Sequence, residues 1–405
     1  PEGLPRPAAR DYHPSMEKYR FSYQDIHRTV RSLAGRIGAA GYEPDVIVAI
    51  GSGGFIPARM LRTFIDRPIL TVGVAYYDKD NKPTANPRKV QWIEEAEREL
   101  RGKRILLVDE VDDSRATLEY CVRELLTHGP SAIAVAVIHN KLKDKRGSMP
   151  AEVSLYAAGL DIEDRWVVYP WDAPDIDAHD ALASEAKARR KRELRAEMKA
   201  RLAGVEPAER EKRSRQAADA FAALPSYRDA GLVLAFLPMG EEIDTGPLVD
   251  ASMAAGKRVA APRIAGGEIE FVVLDEGWRG WERDRWGIPI PPAGRPALAV
   301  EEIAGDRCLM AAPGLAFAAD GGRLGRGRGY YDRFLAALRK ARGADGEMPA
   351  GHGPEADAKA GGRKSAAPAA SDAAFYAVGY GYSFQRVSSV PREGRDAAVD
   401  ELILA

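Results

Sequence analysis

The stretch LLVDEVDDSRATL, residues 106–118, decides how this chain is read. The aliphatic run Ile105 to Val108 has the length of a buried parallel strand, and it stops abruptly in Asp109, Glu110, Asp112 and Asp113. A small-polar turn, Ser114–Arg115–Ala116–Thr117, then leads into an amphipathic helix from about Leu118. In open α/β sheets, ligands sit at the carboxyl ends of the strands. Acids at such an end suit hydroxyls or a hard cation, which takes oxygen ligands. The free amides of a turn that opens a helix suit a phosphate. An acid-rich loop that merely caps its helix is the plain alternative.

On either side of this stretch, residues 20–170 alternate helix-like and strand-like segments. Helices are expected at 23–40, 57–65, 91–100 and 117–127, and strands at Val46–Ile50, Ile69–Val74, Ile105–Val108 and Ala132–Ile138. Apolar strands alternating with amphipathic helices predict a mainly parallel sheet covered on both faces. DAPDIDAHDAL, residues 172–182, is polar and unpatterned, so 173–183 reads as a linker between a domain at 1–172 and another at 184–405. A very basic helical stretch runs from Ser184 to Arg215, and alternation then resumes with Leu232–Phe236, a helix at 246–255, Arg258–Ala261 and Cys308–Ala312. Residues 341–372 are rich in Ala, Gly and Pro without apolar period and read as a disordered surface insertion, since they cannot bury a core. The fold class expected is therefore α/β in two domains, each a mainly parallel sheet flanked by helices.

The 405 residues suffice for two or three domains. A net charge of −1 gives no global field for nucleic acid. The two cysteines, Cys121 and Cys308, sit in apolar patterns and cannot build a disulfide framework or a thiolate zinc site. The six histidines lack metal-ligand spacing. No apolar run approaches the roughly 18 residues that span a bilayer. A cytoplasmic protein acting on small molecules, with neither nucleic acid nor membrane as partner, is expected.

The opening stretch resembles the phosphoribosyl pyrophosphate (PRPP) signature of type I phosphoribosyltransferases. VIVAIGSGGFIPARML, residues 46–61, is similar to that family's pyrophosphate loop, with Ser52, Gly53 and Gly54 letting backbone approach the leaving group. HNKL puts Lys141 where purine-using members contact the base, and RWVVYPWD resembles the tail of xanthine-type enzymes. The resemblance covers roughly residues 18–172. It implies ribosyl transfer from PRPP to a purine (xanthine, hypoxanthine or guanine) with Mg2+. Asp113 would be the general acid/base at N7, and Asp109 and Glu110 would hold the ribose hydroxyls or the metal. Ser114, Arg115, Ala116 and Thr117 would bind phosphate, with Arg115 adding charge where Gly is frequent. Trp166 would stack on the base and the backbone at Val167 would read its edge. A homodimer through this domain is also expected.

A second stretch, RLGRGRGYYDRF at 323–334, follows the apolar CLMAAPGLAF. Glycines let amides turn toward a polyphosphate while arginines neutralise it. No Gly-Lys-Ser/Thr follows, so it is not a P-loop, and it opens too late in its domain for a Rossmann fingerprint. An arginine-glycine nucleic-acid segment is the alternative, but that belongs in a disordered tail. The stretch closely resembles 5-formyltetrahydrofolate cyclo-ligase (methenyltetrahydrofolate synthetase). That family's basic helix is matched by KRELRAEMKARL, where Lys191 and Arg195 would reach the ATP phosphates. FLPMGEEIDT matches its folate segment, with Met239 and Asp244 at the substrate positions. ATP contacts fall on Arg323, Gly325, Arg326, Gly327, Arg328, Gly329, Tyr330 and Tyr331, and magnesium contacts on Asp332 and Asp396. The implied chemistry is ATP-driven closure of 5-formyltetrahydrofolate to 5,10-methenyltetrahydrofolate. A bifunctional enzyme is the reading adopted. Its rival is a cyclo-ligase carrying a non-catalytic PRPP sensor, yet a sensor has no use for Lys141 and Trp166.

Overall fold

The computed structural model describes residues 18–77, 83–343 and 375–405. The chain divides into two units, Pro1–Ala186 and Lys187–Ala405. The boundary falls inside the helix Ile176–Ala203.

The first unit has a six-stranded sheet in the order Pro83–Gln91, Ile69–Tyr77, Val46–Gly51, Arg104–Asp112, Ala132–Leu142, Val153–Glu163. All neighbours run parallel except the edge strand Pro83–Gln91. Alternate residues of the continuous apolar runs feed opposite faces. Ile47, Ala49, Leu106 and Val108 pack with Ile26, Val30, Leu33 and Ile37 of the helix Tyr23–Ala39. Val46, Val48, Ile105 and Leu107 pack with Leu118, Cys121, Val122 and Leu125 of the helix Ala116–Leu126. Two covered faces are why the strands are apolar throughout rather than alternating. A short parallel pair, Lys18–Arg20 with Trp166–Val168, lies apart from this sheet.

The second unit has a seven-stranded sheet in the order Ala297–Leu298, Glu268–Val273, Arg258–Ala265, Leu232–Ala235, Cys308–Ala312, Phe375–Gly381, Glu401–Leu404. It is parallel from Arg258–Ala265 onward and antiparallel at the first two strands. Val233, Leu309 and Ala311 face Leu194, Met198 and Phe221, whereas Leu234, Met310 and Ala312 face Phe334, Leu335 and Leu338. Both units are thus mixed α/β with mainly parallel sheets, as expected.

Some local expectations need correcting. The helix expected at 91–100 is only Ala96–Leu100, and residues 83–91 form an unforeseen strand. PTANPRKVQ has no strand pattern, but an edge position tolerates proline. The segment 173–183, read as a linker, is helical from Ile176. The Asp175 carboxylate accepts the Ala178 amide at 3.0 Å, and His179 is buried with Nε2 at 3.0 Å from the Phe21 carbonyl oxygen. A side-chain cap and a tertiary contact outweigh the polar composition. The basic stretch to Arg215 is two helices, Ile176–Ala203 and Pro207–Ala222. The insertion expected at 341–372 lies, from residue 344 on, outside the described residues. Cys121 and Cys308 are free and buried. Among the described residues no helix is long and apolar enough to cross a membrane.

Candidate active sites

In the first unit the chain leaves Val46–Gly51 for one side of the sheet and returns to Arg104–Asp112 on the other. Such a switch point leaves a crevice at the strand ends. Here it is a cleft of about 1200 Å³, whose lining includes Gly53, Asp109, Glu110, Asp113, Ser114 and Lys141. The loop Ser52–Gly54, entered through a cis peptide between Gly51 and Ser52, is glycine-rich from necessity. A Cβ on Gly54 would lie 2.4 Å from the Val108 carbonyl oxygen, and one on Gly53 would lie 2.6 Å from Glu110 Cδ. Ser52 is exposed.

Asp109 and Glu110 are held by donors. Asp109 Oδ1 accepts the Glu110 amide at 2.8 Å, and Glu110 Oε2 accepts Trp171 Nε1 at 3.1 Å. Burial pushes Asp109 up to about 7, despite that amide. Burial and the nearby charges of Asp109 and Asp172 push Glu110 up to about 8. Behind them, Tyr169 donates to the Glu110 carbonyl at 3.0 Å, so its oxygen accepts from His139 Nδ1 at 2.9 Å. Phe21, His139, Tyr169 and Trp171 form successive ring contacts along this backing.

Asp112 is wholly buried and takes the Arg115 guanidinium at 2.9 and 2.7 Å and the Tyr156 hydroxyl at 2.8 Å. Arg115, expected to add charge at a phosphate, thus lines the cleft with its guanidinium ion-paired to Asp112. Its backbone, at φ 67°, makes the turn into the helix Ala116–Leu126. The first-turn amides of that helix, including Ala116 and Thr117, have no acceptor within it. Across the cleft, Lys141 Nζ donates to Asp113 Oδ2 at 3.1 Å and lies 5.9 Å from the Trp166 ring centre. Val167 lines the same wall.

In the second unit the switch point lies between Leu232–Ala235 and Cys308–Ala312. The loops leaving these strands meet the glycine-arginine loop. Arg326 Nε donates to Glu242 Oε1 at 2.9 Å, and Glu242 Oε2 accepts the Met239 amide at 3.1 Å. Asp244 turns its carboxylate onto the Gly246 amide at 2.8 Å. Gly327 and Gly329 adopt φ 105° and 69°, which side-chain-bearing residues rarely hold. Arg323 is nearly buried, donating to the Pro313 carbonyl at 3.0 Å and Asp332 Oδ1 at 2.5 Å. Arg328 is exposed, and Arg333 covers the Tyr330 ring at 5.2 Å. Burial pushes the Tyr331 hydroxyl well up.

The basic helix also reaches this loop. Arg195 Nε donates to the Gly325 carbonyl at 3.0 Å, and buried Lys191 donates to Asp396 Oδ2 at 2.7 Å and Glu393 Oε1 at 3.2 Å. Asp332 Oδ1 also accepts the Ala397 amide at 3.2 Å, which brings the two expected metal ligands into one neighbourhood. Each already has a cationic partner, Arg323 for Asp332 and Lys191 for Asp396.

Residues 22–174 match the phosphoribosyl transferase domain, and residues 187–350 match the 5-formyltetrahydrofolate cyclo-ligase family. The first region is similar to hypoxanthine-guanine phosphoribosyltransferase of Schizosaccharomyces pombe, 36% identical over 190 residues, covering 40% of this chain and 92% of that one. The second is similar to 5-formyltetrahydrofolate cyclo-ligase of Mus musculus, 34% identical over 152 residues, covering 36% of this chain and 73% of that one. The chain belongs to both families. It is a bifunctional enzyme with a phosphoribosyltransferase unit followed by a cyclo-ligase unit. A solved structure, a hypothetical protein from Neisseria gonorrhoeae with bound ppGpp, is 48% identical, covering 43% of this chain and 99% of that one, with a TM-score of 0.41.

In the phosphoribosyltransferase unit, Asp113, Lys141, Trp166 and Val167 line the same cleft as the acid pair. Sequence reasoning passed over Lys143, Asp164, Tyr169 and Trp171, although the alternation Lys141, Lys143, Lys145 was visible. Only Lys141 belongs to the strand Ala132–Leu142, and Lys143 and Lys145 follow its end. In the cyclo-ligase unit it passed over Glu242 and Glu393, whose partners come from distant segments.

Proposed function

We propose that residues 1–172 transfer phosphoribosyl from PRPP to a 6-oxopurine (hypoxanthine, guanine or xanthine). In the same reading, residues 184–405 convert 5-formyltetrahydrofolate and ATP to 5,10-methenyltetrahydrofolate, ADP and phosphate. One observation carries the first half: a carboxylate, a lysine and an indole line a cleft that also holds two acids at a glycine-bounded strand end. In the transfer, purine N9 bonds to ribose C1′, the C1′–oxygen bond breaks, and pyrophosphate departs. Asp113 takes the N7 proton, a task that needs an ionised carboxylate within hydrogen-bond reach. Lys141 would donate to the 6-oxo group and Trp166 would stack on the ring. Supporting purine substrates, the curated relative is a hypoxanthine-guanine enzyme. The base-binding side chains favour turnover over mere PRPP sensing.

Magnesium fits the acid pair. Among the described residues no cluster of three or more His, Cys, Asp or Glu could cage a metal unaided. Two half-buried carboxylates with raised pKa suit a cation that draws its remaining ligands from substrate oxygens. When bound, Mg2+ would neutralise charge on the departing pyrophosphate.

For the cyclo-ligase half, the left-handed glycines and converging arginines support an ATP cradle beside the Met239–Asp244 segment. The formyl oxygen takes the γ-phosphoryl group, N10 attacks the activated carbon, and phosphate leaves with that oxygen. Arg326 and Arg328 would offset charge on the transferring group. The buried free thiols accord with a cytoplasmic, reducing setting. The test offers the purified chain PRPP with each purine, and separately ATP with 5-formyltetrahydrofolate. Nucleotide and methenyltetrahydrofolate are the expected products, and absence of either refutes that half.

A further inference from the structure

The acid/base carboxylate is gripped by two lysines, and they are not equivalent. Lys141 is the penultimate residue of the strand Ala132–Leu142, and the Lys143 amide folds back onto the Lys141 carbonyl at 3.0 Å. Both ammonium groups thereby reach Asp113, Lys141 on Oδ2 and Lys143 on Oδ1. Asp164 Oδ1 lies 3.1 Å from Lys143 Nζ and 3.6 Å from Lys141 Nζ. Only the Lys141 ammonium is also placed at the Trp166 ring, 5.9 Å from its centre, among the described cation–ring contacts. We propose that Lys143, anchored by Asp164, is a positioning residue that fixes Oδ1 of Asp113 and leaves Oδ2 to work on the purine.

The inference rests on the transferase reading. The four groups form a neutral cluster of two carboxylates and two ammoniums. Lys145 adds to it, donating to the Asp112 and Asp113 carbonyl oxygens at 2.6 and 3.2 Å. A purine stacked on Trp166 presents its 6-oxo group to Lys141, which draws that ammonium off Oδ2. The freed oxygen then faces N7–H and accepts its proton as N9 bonds to C1′. Lys143 stays in place because Asp164 holds it, so the carboxylate keeps its orientation while becoming more basic. Burial works to raise the Asp113 pKa, but the hydrogen bond from Lys143 and the charge of Lys141 outweigh it and hold the carboxyl below its ordinary value.

The test uses the full chain with 13C-labelled aspartate, the Asp113 carboxyl resonance being assigned by its loss in Asp113→Asn. In substrate-free Lys143→Met this carboxyl should titrate about one pH unit higher than in wild type. Turnover should show kcat about tenfold lower with purine KM within about twofold, the pattern of a group acting in the transition state. Lys143→Arg should restore both readouts, whereas Lys141→Met should chiefly raise purine KM. An unmoved Asp113 titration in Lys143→Met overturns the proposal, as does a purine KM rising as much as in Lys141→Met. If the wild-type chain transfers phosphoribosyl to no purine, the functional reading falls, and the titration alone decides the Lys143 assignment.

Discussion

Gly53 and Gly54 are adjacent, yet alanine at each should fail in a different way. A Cβ on Gly54 would meet only backbone, the Val108 carbonyl oxygen at 2.4 Å and Ile50 O and N at 2.8 and 2.9 Å. Those atoms belong to two hydrogen-bonded neighbouring strands, so the sheet itself must yield. Overpacking typically costs about 1–3 kcal/mol, and because no flexible side chain can move aside, the upper end applies. At about 2–4 °C per kcal/mol for a unit of this size, Gly54→Ala should melt about 6–12 °C lower. A Cβ on Gly53 would meet the Glu110 carboxyl end at 2.6–2.8 Å, which can rotate away. That forfeits the Trp171 hydrogen bond, worth about 1 kcal/mol, so melting should fall by no more than about 4 °C. Displacing Glu110 should forfeit the charge-assisted contact proposed between it and PRPP, about 1.5–3 kcal/mol, raising the PRPP KM at least about tenfold. Scanning calorimetry of the full chain and steady-state transfer kinetics read the two effects. Equal melting losses in the two variants, or a wild-type PRPP KM in Gly53→Ala, would refute this account of the loop.

Asp113→Asn should slow purine transfer by about 10²-fold or more while cyclo-ligase turnover is unchanged; an undiminished transfer rate removes Asp113 from the chemistry. Trp166→Ala should cost about 1–3 kcal/mol of purine binding, seen as a raised purine KM with PRPP KM little changed. Gly327→Val forces a β-branched residue to φ 105°, a strain of about 1–3 kcal/mol, and should weaken ATP binding in calorimetry more than Arg328→Ala does. Burial holds His139 down at about 3, from an ordinary 6.5, so the native state refuses a proton that the unfolded chain accepts. Its contribution is therefore intact above about pH 6.5 and lost as pH falls, reaching about 2.7 kcal/mol by about pH 4.5. Denaturant unfolding of His139→Gln should accordingly show a shallower loss of stability across that window than wild type, and an equal slope would discount the residue.

The residues alone determined the α/β class, the two-family organisation and many of the residues that line the first unit's cleft. They could do so because buried parallel strands leave uninterrupted apolar runs, and because phosphate loops need glycine, acids and small polar residues at strand ends. Pattern reasoning failed where local composition was overruled from a distance. PTANPRKVQ is a strand only because Ile69–Tyr77 offers it an edge, and residues 176–183 are helical through the Asp175 cap and the contact of His179 with Phe21. The same holds for the partners of charged groups. The sequence places Arg115 beside a phosphate turn, but only the fold supplies the buried Asp112 carboxylate that takes its guanidinium. Lys143 reads as one more surface lysine until the strand end folds it onto Asp113 and Asp164. A side chain's chemistry belongs to its residue type, but its partner and its pKa depend on what tertiary packing puts within a few ångströms, and that is what only the folded structure decided.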